Sequence, residues 1–238
     1  MHIRFIFILS AVLTFTSCTS EQKTKDENNL PDVLTSETDT ICVKNGIWSF
    51  TDTSKLFFEK YYKSEFDTSE IACIKKSQDL VSRNEDTLFI KIDGNKIKKY
   101  INDNSIESDS YTEYHFMSKL PGINYYLVKI YYYEGYSYMM LNAKTGKESY
   151  LWGIPSVSPD NKKIMASCFD LQAGFVFNGI QYFDITPDSL QLQWSRELNK
   201  WGSDKLAWIN NDMLVAERLT MDSVFNIKST YTIIKPFK

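Results

Sequence analysis

Histidine is almost absent from this sequence, which contains two in 238 residues, His2 and His115. His2 lies in an N-terminal segment that is expected to be removed, so His115 is the one imidazole left for a Ser-His-Asp or Cys-His system. His115 alternates with Glu113 along a strand-like run, and the two side chains make at most half of a metal or acid–base site. A surface histidine on a strand is the favoured interpretation.

Other elements of catalytic and cofactor sites are missing too. The chain has no paired histidines and no Cys-x-x-Cys, and none of its nine glycines lies in a phosphate-binding loop. Two oxygen-rich turns, Asp160-Asn161 and Asp93-Gly94-Asn95, lack the run of carboxylates that calcium loops use, and turn chemistry explains them. Lys and Arg are scattered and the net charge is -3, which argues against a nucleic-acid partner. No catalytic residue, metal or cofactor is predicted.

Cysteine is scarce, with four residues in the whole chain. Apart from Cys18, which follows the N-terminal apolar run, three cysteines remain, Cys42, Cys73 and Cys168, and they allow at most one intramolecular bridge. A Cys42–Cys73 disulfide and three unbridged thiols are both compatible with the sequence. Cys168 lies in the apolar run Ile164–Phe169, so it is predicted to be a small buried residue rather than a nucleophile.

The one long apolar run stands at the N-terminus. A basic start, Met1-His2-Ile3-Arg4, precedes an apolar core of roughly a dozen residues, the layout of a secretory signal peptide. The core is shorter than the ~20 residues that a membrane-spanning helix needs. Phe15-Thr16-Ser17-Cys18 resembles the lipobox of bacterial lipoproteins, in which the cysteine is lipidated and becomes the mature N-terminus. This resemblance implies that residues 1–17 are a signal peptide and that Cys18 attaches the protein to a membrane.

Residues 18–40 are predicted to be a flexible tether. The segment after Cys18 is rich in charged and polar residues and has no aromatic residue, so it buries too little apolar surface to fold. Thr19 rather than Asp follows the cysteine, which by resemblance to proteobacterial lipoproteins argues against retention at the inner membrane. Lys25-Asp26-Glu27 resembles the acidic export tag of surface lipoproteins in the Bacteroidetes group. The expected location is the outer membrane, on its periplasmic face or at the cell surface.

Residues 41–238 are predicted to form an antiparallel all-β domain. Tyr and Phe number 15 each, and aromatic enrichment favours strands. Asp93-Gly94 separates two strand-like runs and predicts a hairpin in which both turn residues take positive φ. One short helix is expected near 54–64, capped by Thr53 or Ser54. Its predicted apolar face consists of Leu56, Phe57, Tyr61 and Tyr62.

The strand pattern repeats. Pro155 to Ala166, with Ser158-Pro159-Asp160 at its centre, resembles the signature of the WD40-like repeats in TolB-type β-propellers. Four-stranded units fit ~111–152 and ~154–198, with a third, partial unit from ~203, since a blade takes ~40–45 residues. A closed propeller usually needs at least four blades. Residues 41–105 therefore supply degenerate blades, or the propeller-like meanders form an incomplete, sandwich-like arrangement.

Tyrosine is concentrated between residues 125 and 138. The tyrosines there pair across strands, or those that face outward form a binding patch, since tyrosine combines a flat apolar face with a polar tip. The predicted patch consists of Tyr131, Tyr133, Tyr136 and Tyr138. Trp194, Trp201 and Trp208 are expected to fill the core.

These features together predict a lipid-anchored, non-enzymatic protein of the cell envelope. Its expected partners are the membrane, through the lipid on Cys18, and an envelope protein or a glycan. A structural or assembly accessory of an envelope complex is the first alternative, by analogy with TolB-like propellers. A hydrolase on a propeller scaffold is the second alternative.

Overall fold

The computed structural model describes residues 39–44, 46–63, 66, 69–105 and 110–237. The predicted signal peptide, Cys18 and the tether as far as residue 38 lie outside the described residues. The first strand begins at Asp39, so the last two residues of the predicted tether belong to a strand. Within the described part of the chain, no helix is long and apolar enough to cross a membrane.

The domain is all-β, as predicted, and consists of antiparallel sheets with two short helices. The three-stranded sheet I contains β3 (Val81–Asn84), β4 (Thr87–Ile92) and β5 (Lys96–Ile101). The four-stranded sheet II contains β6 (Thr112–Lys119), β7 (Tyr125–Tyr132), β8 (Tyr136–Asn142) and β9 (Glu148–Leu151). The four-stranded sheet III contains β10 (Pro155–Val157), β11 (Lys163–Cys168), β12 (Gly179–Ile185) and β13 (Leu190–Glu197).

Sheets II and III are the two predicted four-stranded units. Each is a meander whose neighbouring strands are also consecutive in the chain. Their limits lie within a residue of the predicted units 111–152 and 154–198. The local signals of alternation and turn residues were therefore sufficient to locate both units.

Sheet IV combines the two ends of the domain. The partial unit predicted from ~203 provides β14 (Leu206–Trp208), β15 (Leu214–Met221) and β16 (Ile227–Pro236). It is completed by β2 (Gly46–Thr53) and β1 (Asp39–Val43), so that the strand order is β1-β2-β16-β15-β14. The region before residue 105 thus contributes the outer strands of one sheet and the whole of another, rather than separate blades of its own.

The sheets pack face to face through three buried apolar clusters. One cluster joins sheets I and II, a second joins sheets II and III, and a third joins sheets III and IV. The predicted core tryptophans Trp194, Trp201 and Trp208 are all buried in the third cluster. Among the described residues no cluster of this kind joins sheet IV to sheet I. The architecture is therefore propeller-like but incomplete, which was one of the two arrangements expected.

The short helices differ from the prediction in part. Helix α1 (Lys55–Tyr61) begins as expected, with Ser54 Oγ accepting the Phe57 N–H at 3.2 Å. Its predicted apolar face was wrong, because Phe58 is the buried residue and Leu56 is exposed. Phe58 packs on Tyr231 of β16, a contact far along the chain. A second helix, α2 (Glu70–Lys76), was not predicted.

The two segments rich in Asp and Asn have the backbone angles and hydrogen bonds of turns. In the β4–β5 turn, positive φ occurs at Gly94 and Asn95 rather than at Asp93 and Gly94. Before β11, Ser158 Oγ donates to Asp160 Oδ1 at 2.6 Å and that oxygen accepts the Lys162 N–H at 3.2 Å. The φ angles of the first segment and the hydrogen bonds of the second agree with the interpretation of both as turns.

Candidate functional site

One edge of sheet II brings together residues from three strands. β6 begins at this edge, β7 ends there and β8 begins there again, because the strands alternate in direction. Glu113 pairs with Tyr131 across β6 and β7, and Tyr131 pairs with Tyr136 across β7 and β8. Directly paired residues share one face of a sheet. The pairing therefore places a carboxylate beside two tyrosine rings.

A cavity of about 500 Å³ opens at this edge. We call it the tyrosine cavity, and its lining residues are Tyr111, Glu113, His115, Tyr131, Tyr132 and Tyr133. Tyr132 and Tyr133 are exposed, by 41% and 62%. Their rings therefore offer apolar faces at the mouth of the cavity. The Tyr132 hydroxyl forms a hydrogen bond with Ser137 Oγ at 3.0 Å.

The Glu113 carboxylate contacts the other polar side chains of the cavity. One of its carboxylate oxygens accepts a hydrogen bond from Tyr111 Oη at 3.0 Å, and the other lies 2.9 Å from His115 Nε2. The hydrogen bond to Glu113 raises the pKa of the Tyr111 phenol. The His115 ring in turn meets the Tyr131 ring edge-on, with 5.4 Å between centroids. Both oxygens of Glu113 are occupied within the cavity, so this carboxylate orients neighbouring side chains.

Lys129 contacts the ring of Tyr131 and two further tyrosine rings. Its ammonium nitrogen lies 4.5 Å from the ring centroids of Tyr131 and Tyr136 and 5.7 Å from that of Tyr138. Such distances fit cation–π contacts. No ion pair joins Lys129 to a carboxylate in the described part of the chain. The ammonium group of Lys129 thus holds the three tyrosine rings close together. His115 lies beside it, because His115 pairs with Lys129 across β6 and β7.

The four tyrosines of the predicted patch take different positions. Tyr131 and Tyr133 line the cavity, whereas Tyr138 is buried and Tyr136 is half-buried. Tyr136 Oη lies 3.4 Å from Cys168 Sγ of sheet III, and burial raises the pKa of the Tyr136 and Tyr138 phenols. The structure therefore places two residues of the patch at the surface and two in the contact with sheet III.

Sequence reasoning missed three residues of this site. Tyr111 and Tyr132 line the cavity, and Lys129 lies between the rings. Strand alternation assigned Tyr132 to the opposite face from Tyr131, but both reach the cavity where β7 ends. Lys129 alternates with Tyr131 along β7, and that spacing was a signal that the lysine shares its face.

The three cysteines in the part of the chain that the structure describes form no bridge. Cys42, Cys73 and Cys168 are not in disulfide bonds, so the alternative of three unbridged thiols is confirmed. Cys73 and Cys168 are buried and Cys42 is exposed. Burial raises the pKa of the Cys168 thiol to about 11. Cys168 is therefore a small buried residue, as predicted.

No group of three or more His, Cys, Asp or Glu side chains that could hold a metal ion occurs in the described ranges. The pair Glu113–His115 stands without a third ligand of these types.

Comparison with protein families, curated proteins and solved structures finds no match to this chain.

Proposed function

We propose that this protein is a lipid-anchored, non-enzymatic binding protein of the cell envelope and that the tyrosine cavity is its ligand site. The observation that carries the proposal is the cavity itself, in which exposed tyrosines flank the hydrogen-bonded set Tyr111, Glu113 and His115. Aromatic faces with adjacent polar groups suit the recognition of a protein surface or a sugar. The expected ligand is accordingly an envelope protein or a glycan.

The anchoring part of the proposal depends on the lipobox-like sequence before Cys18. Lipidation there would attach the domain to the outer membrane, on the periplasmic face or at the cell surface. Burial of an acyl chain contributes ~0.8 kcal/mol per methylene, so loss of the lipid should release the protein. We expect the Cys18→Ser variant to move from the membrane fraction to the soluble fraction while the thiols of Cys73 and Cys168 remain protected. Retention of the folded variant in the membrane fraction would contradict the lipid anchor.

Site-specific photocrosslinking tests the ligand site. The full chain would carry benzoylphenylalanine in place of Tyr133, which is at the mouth of the cavity. The matched control would carry it in place of Phe237, an exposed aromatic residue in the segment that follows β16. We expect a discrete crosslinked product in whole cells from position 133 and none from position 237. Protease digestion of that product then distinguishes a protein ligand from a glycan.

Four outcomes would count against the proposal or favour one of its alternatives. Absence of a product at position 133, or the same product at both positions, would show that the cavity is not a ligand site. A turnover of ester or glycoside substrates that His115→Ala abolishes would instead favour the hydrolase alternative. A single crosslinked protein that copurifies in fixed ratio with the chain would favour the assembly accessory.

A further inference from the structure

A second cavity, of about 480 Å³, lies at the hairpin between β11 and β12, residues 169–178. We call it the phenylalanine cavity, and its described lining residues all differ from those of the tyrosine cavity. Its aromatic lining residues are Phe175 and Phe177, which are 58% and 54% exposed. Both rings are therefore accessible to a ligand in the cavity.

Hydrogen bonds hold the hairpin that carries these rings in one conformation. The Asp170 carboxylate accepts three backbone N–H groups of the hairpin at 2.7 to 2.9 Å, from Ala173, Phe175 and Val176. The side chain of Asn178, at the other end of the hairpin, accepts the Asp170 N–H at 3.0 Å. The two rings are thus presented by a preorganised segment, which lowers the entropy cost of binding.

Glu197, at the end of β13, lies beside the ring of Phe177. Phe177 stacks on Trp152 with 4.8 Å between ring centroids. A Cβ atom on Gly179 would lie 3.0 Å from Trp152 Cζ3 and 3.0 Å from Glu197 Cα, so the backbone of Glu197 adjoins the Trp152 ring. Phe177 and Glu197 both line the cavity. The cavity therefore combines aromatic rings with a carboxylate.

The charged side chains of the cavity are acidic. Among the described residues that line it, the charged ones are Asp170 and Glu197, and none is Lys or Arg. The Asp170 carboxylate is occupied by the hairpin backbone, whereas Glu197 forms no ion pair or side-chain hydrogen bond within the described part of the chain. Arg196 precedes Glu197 in β13, and strand alternation places it on the opposite face. A carboxylate without a partner, beside aromatic rings, is complementary to a cation.

From these observations we infer that the phenylalanine cavity binds the guanidinium group of an arginine side chain on a protein partner. A guanidinium group is planar and stacks on aromatic faces, and its fork of N–H donors matches a carboxylate. It is also less strongly hydrated than an ammonium group, so its transfer into an aromatic cavity costs less free energy. These properties favour arginine over lysine as the occupant.

The position of the cavity favours a protein as the bearer of the arginine. A Cβ atom on Gly135 would lie 3.0 Å from the Phe175 carbonyl oxygen, so the β7–β8 and β11–β12 hairpins touch. Tyr133, in the first of these hairpins, lines the tyrosine cavity. The two cavities are therefore neighbours, and one protein surface can contact both. In this respect the inference rests on the proposed function, in which the tyrosine cavity binds an envelope ligand.

Titration with peptides that differ in one group tests the cation site. The full chain with Cys18→Ser would carry 4-fluorophenylalanine in place of Phe177, and the ¹⁹F chemical shift reports occupancy of the cavity. The probe is acetyl-Gly-Arg-Gly-amide, and the matched probe has citrulline, which is uncharged and of similar shape, in place of arginine. We expect a saturable shift with the arginine peptide and none with the citrulline peptide. The corresponding lysine peptide should bind about threefold more weakly.

Two variants identify the carboxylate involved. Glu197→Gln should raise the dissociation constant of the arginine peptide about tenfold, because a charge-assisted hydrogen bond is lost. The matched control is Glu134→Gln, which removes an exposed carboxylate from the neighbouring β7–β8 hairpin and should leave the constant unchanged. Unchanged circular dichroism verifies that both variants are folded.

Several results would overturn the inference. These are the absence of a shift with the arginine peptide, equal binding of the citrulline or the lysine peptide, equal effects of the two variants, and a glycan rather than a protein crosslinked at position 133. Failure of the arginine peptide to bind, with a protein still crosslinked at position 133, would leave the proposed function intact. Binding of the arginine peptide without a crosslink at position 133 would contradict the proposed ligand site and support the cation site.

Discussion

At the scale of single residues, the three cysteines of the domain differ in their surroundings. Cys42 is exposed on the edge strand β1. Cys73 is buried in the cluster between sheets I and II, and Cys168 is buried beside Tyr136. Thiol reactivity depends on access and on the fraction of thiolate. Burial raises the pKa of Cys168 from 9.0 to about 11, so this thiol stays protonated at neutral pH.

We therefore expect one thiol of the native Cys18→Ser protein to react rapidly with Ellman's reagent at pH 7.5. The Cys42→Ser variant should lose this fast phase, and unfolding in guanidinium should expose the two slow thiols. Rapid labelling of two or more thiols in the native protein would contradict the described burial of Cys73 and Cys168.

The residues of the tyrosine cavity show how far alternation alone can specify a group of neighbouring side chains. Tyr131 and Tyr133 were predicted to belong to a patch, and both line the tyrosine cavity. Tyr136 and Tyr138 share the Tyr131 face through strand pairing, but sheet III covers them. The covering sheet begins more than fifteen residues further along the chain, so its position depends on packing between meanders, which a strand pattern does not contain.

At the scale of elements, hairpins with local turn signals were the most predictable part. The β4–β5 hairpin and the two four-stranded meanders needed only alternation, Asp-Gly or Asn turns and short connections. The helices were less predictable because their buried faces are chosen by distant partners. Phe58 of α1 packs on Tyr231, which no helical periodicity within residues 54–64 could indicate.

Helix α2 shows the same dependence on distant contacts. Arg83 of β3 forms two hydrogen bonds with the Glu70 carboxylate, at 2.8 and 2.7 Å. Glu70 also accepts the Phe116 N–H of β6 at 2.8 Å. One helical carboxylate therefore links sheets I and II. Partly buried, charge-assisted hydrogen bonds of this kind are stronger than exposed pairs, and their partners are separated by 13 and 46 positions in the chain.

At the scale of the whole molecule, sheet IV joins the two ends of the domain. In β16, Ile234 pairs with Phe50 of β2 on one side and with Leu214 of β15 on the other, and it is fully buried. The sequence predicted β16 and its neighbours but not the strand that completes them. The paired residues of β2 and β16 are about 180 positions apart in the chain. Each strand has an ordinary strand pattern, so nothing in the local sequence indicates that the two strands pair.

Because β2 and β16 join the two ends of the domain, we expect the domain to unfold as one unit. The Ile234→Ala variant tests this expectation. Loss of the buried side chain should lower the free energy of unfolding by about 3 kcal/mol, since large-to-small changes in a core cost about 2–5 kcal/mol. Ile227→Ala is the matched control, because Ile227 lies in the same strand and is 55% exposed. Its effect should stay within about 0.5 kcal/mol.

The measurement is the labelling rate of Cys73, in a background in which Cys18 and Cys42 are Ser. Cys73 lies between sheets I and II, whereas Ile234 lies in the cluster between sheets III and IV. If one cooperative opening exposes Cys73, a loss of about 3 kcal/mol should speed its labelling on the order of 100-fold, since 1.4 kcal/mol is a factor of ten. Unchanged labelling of Cys73 in a destabilised Ile234→Ala protein would show that sheets I and II open independently of sheet IV.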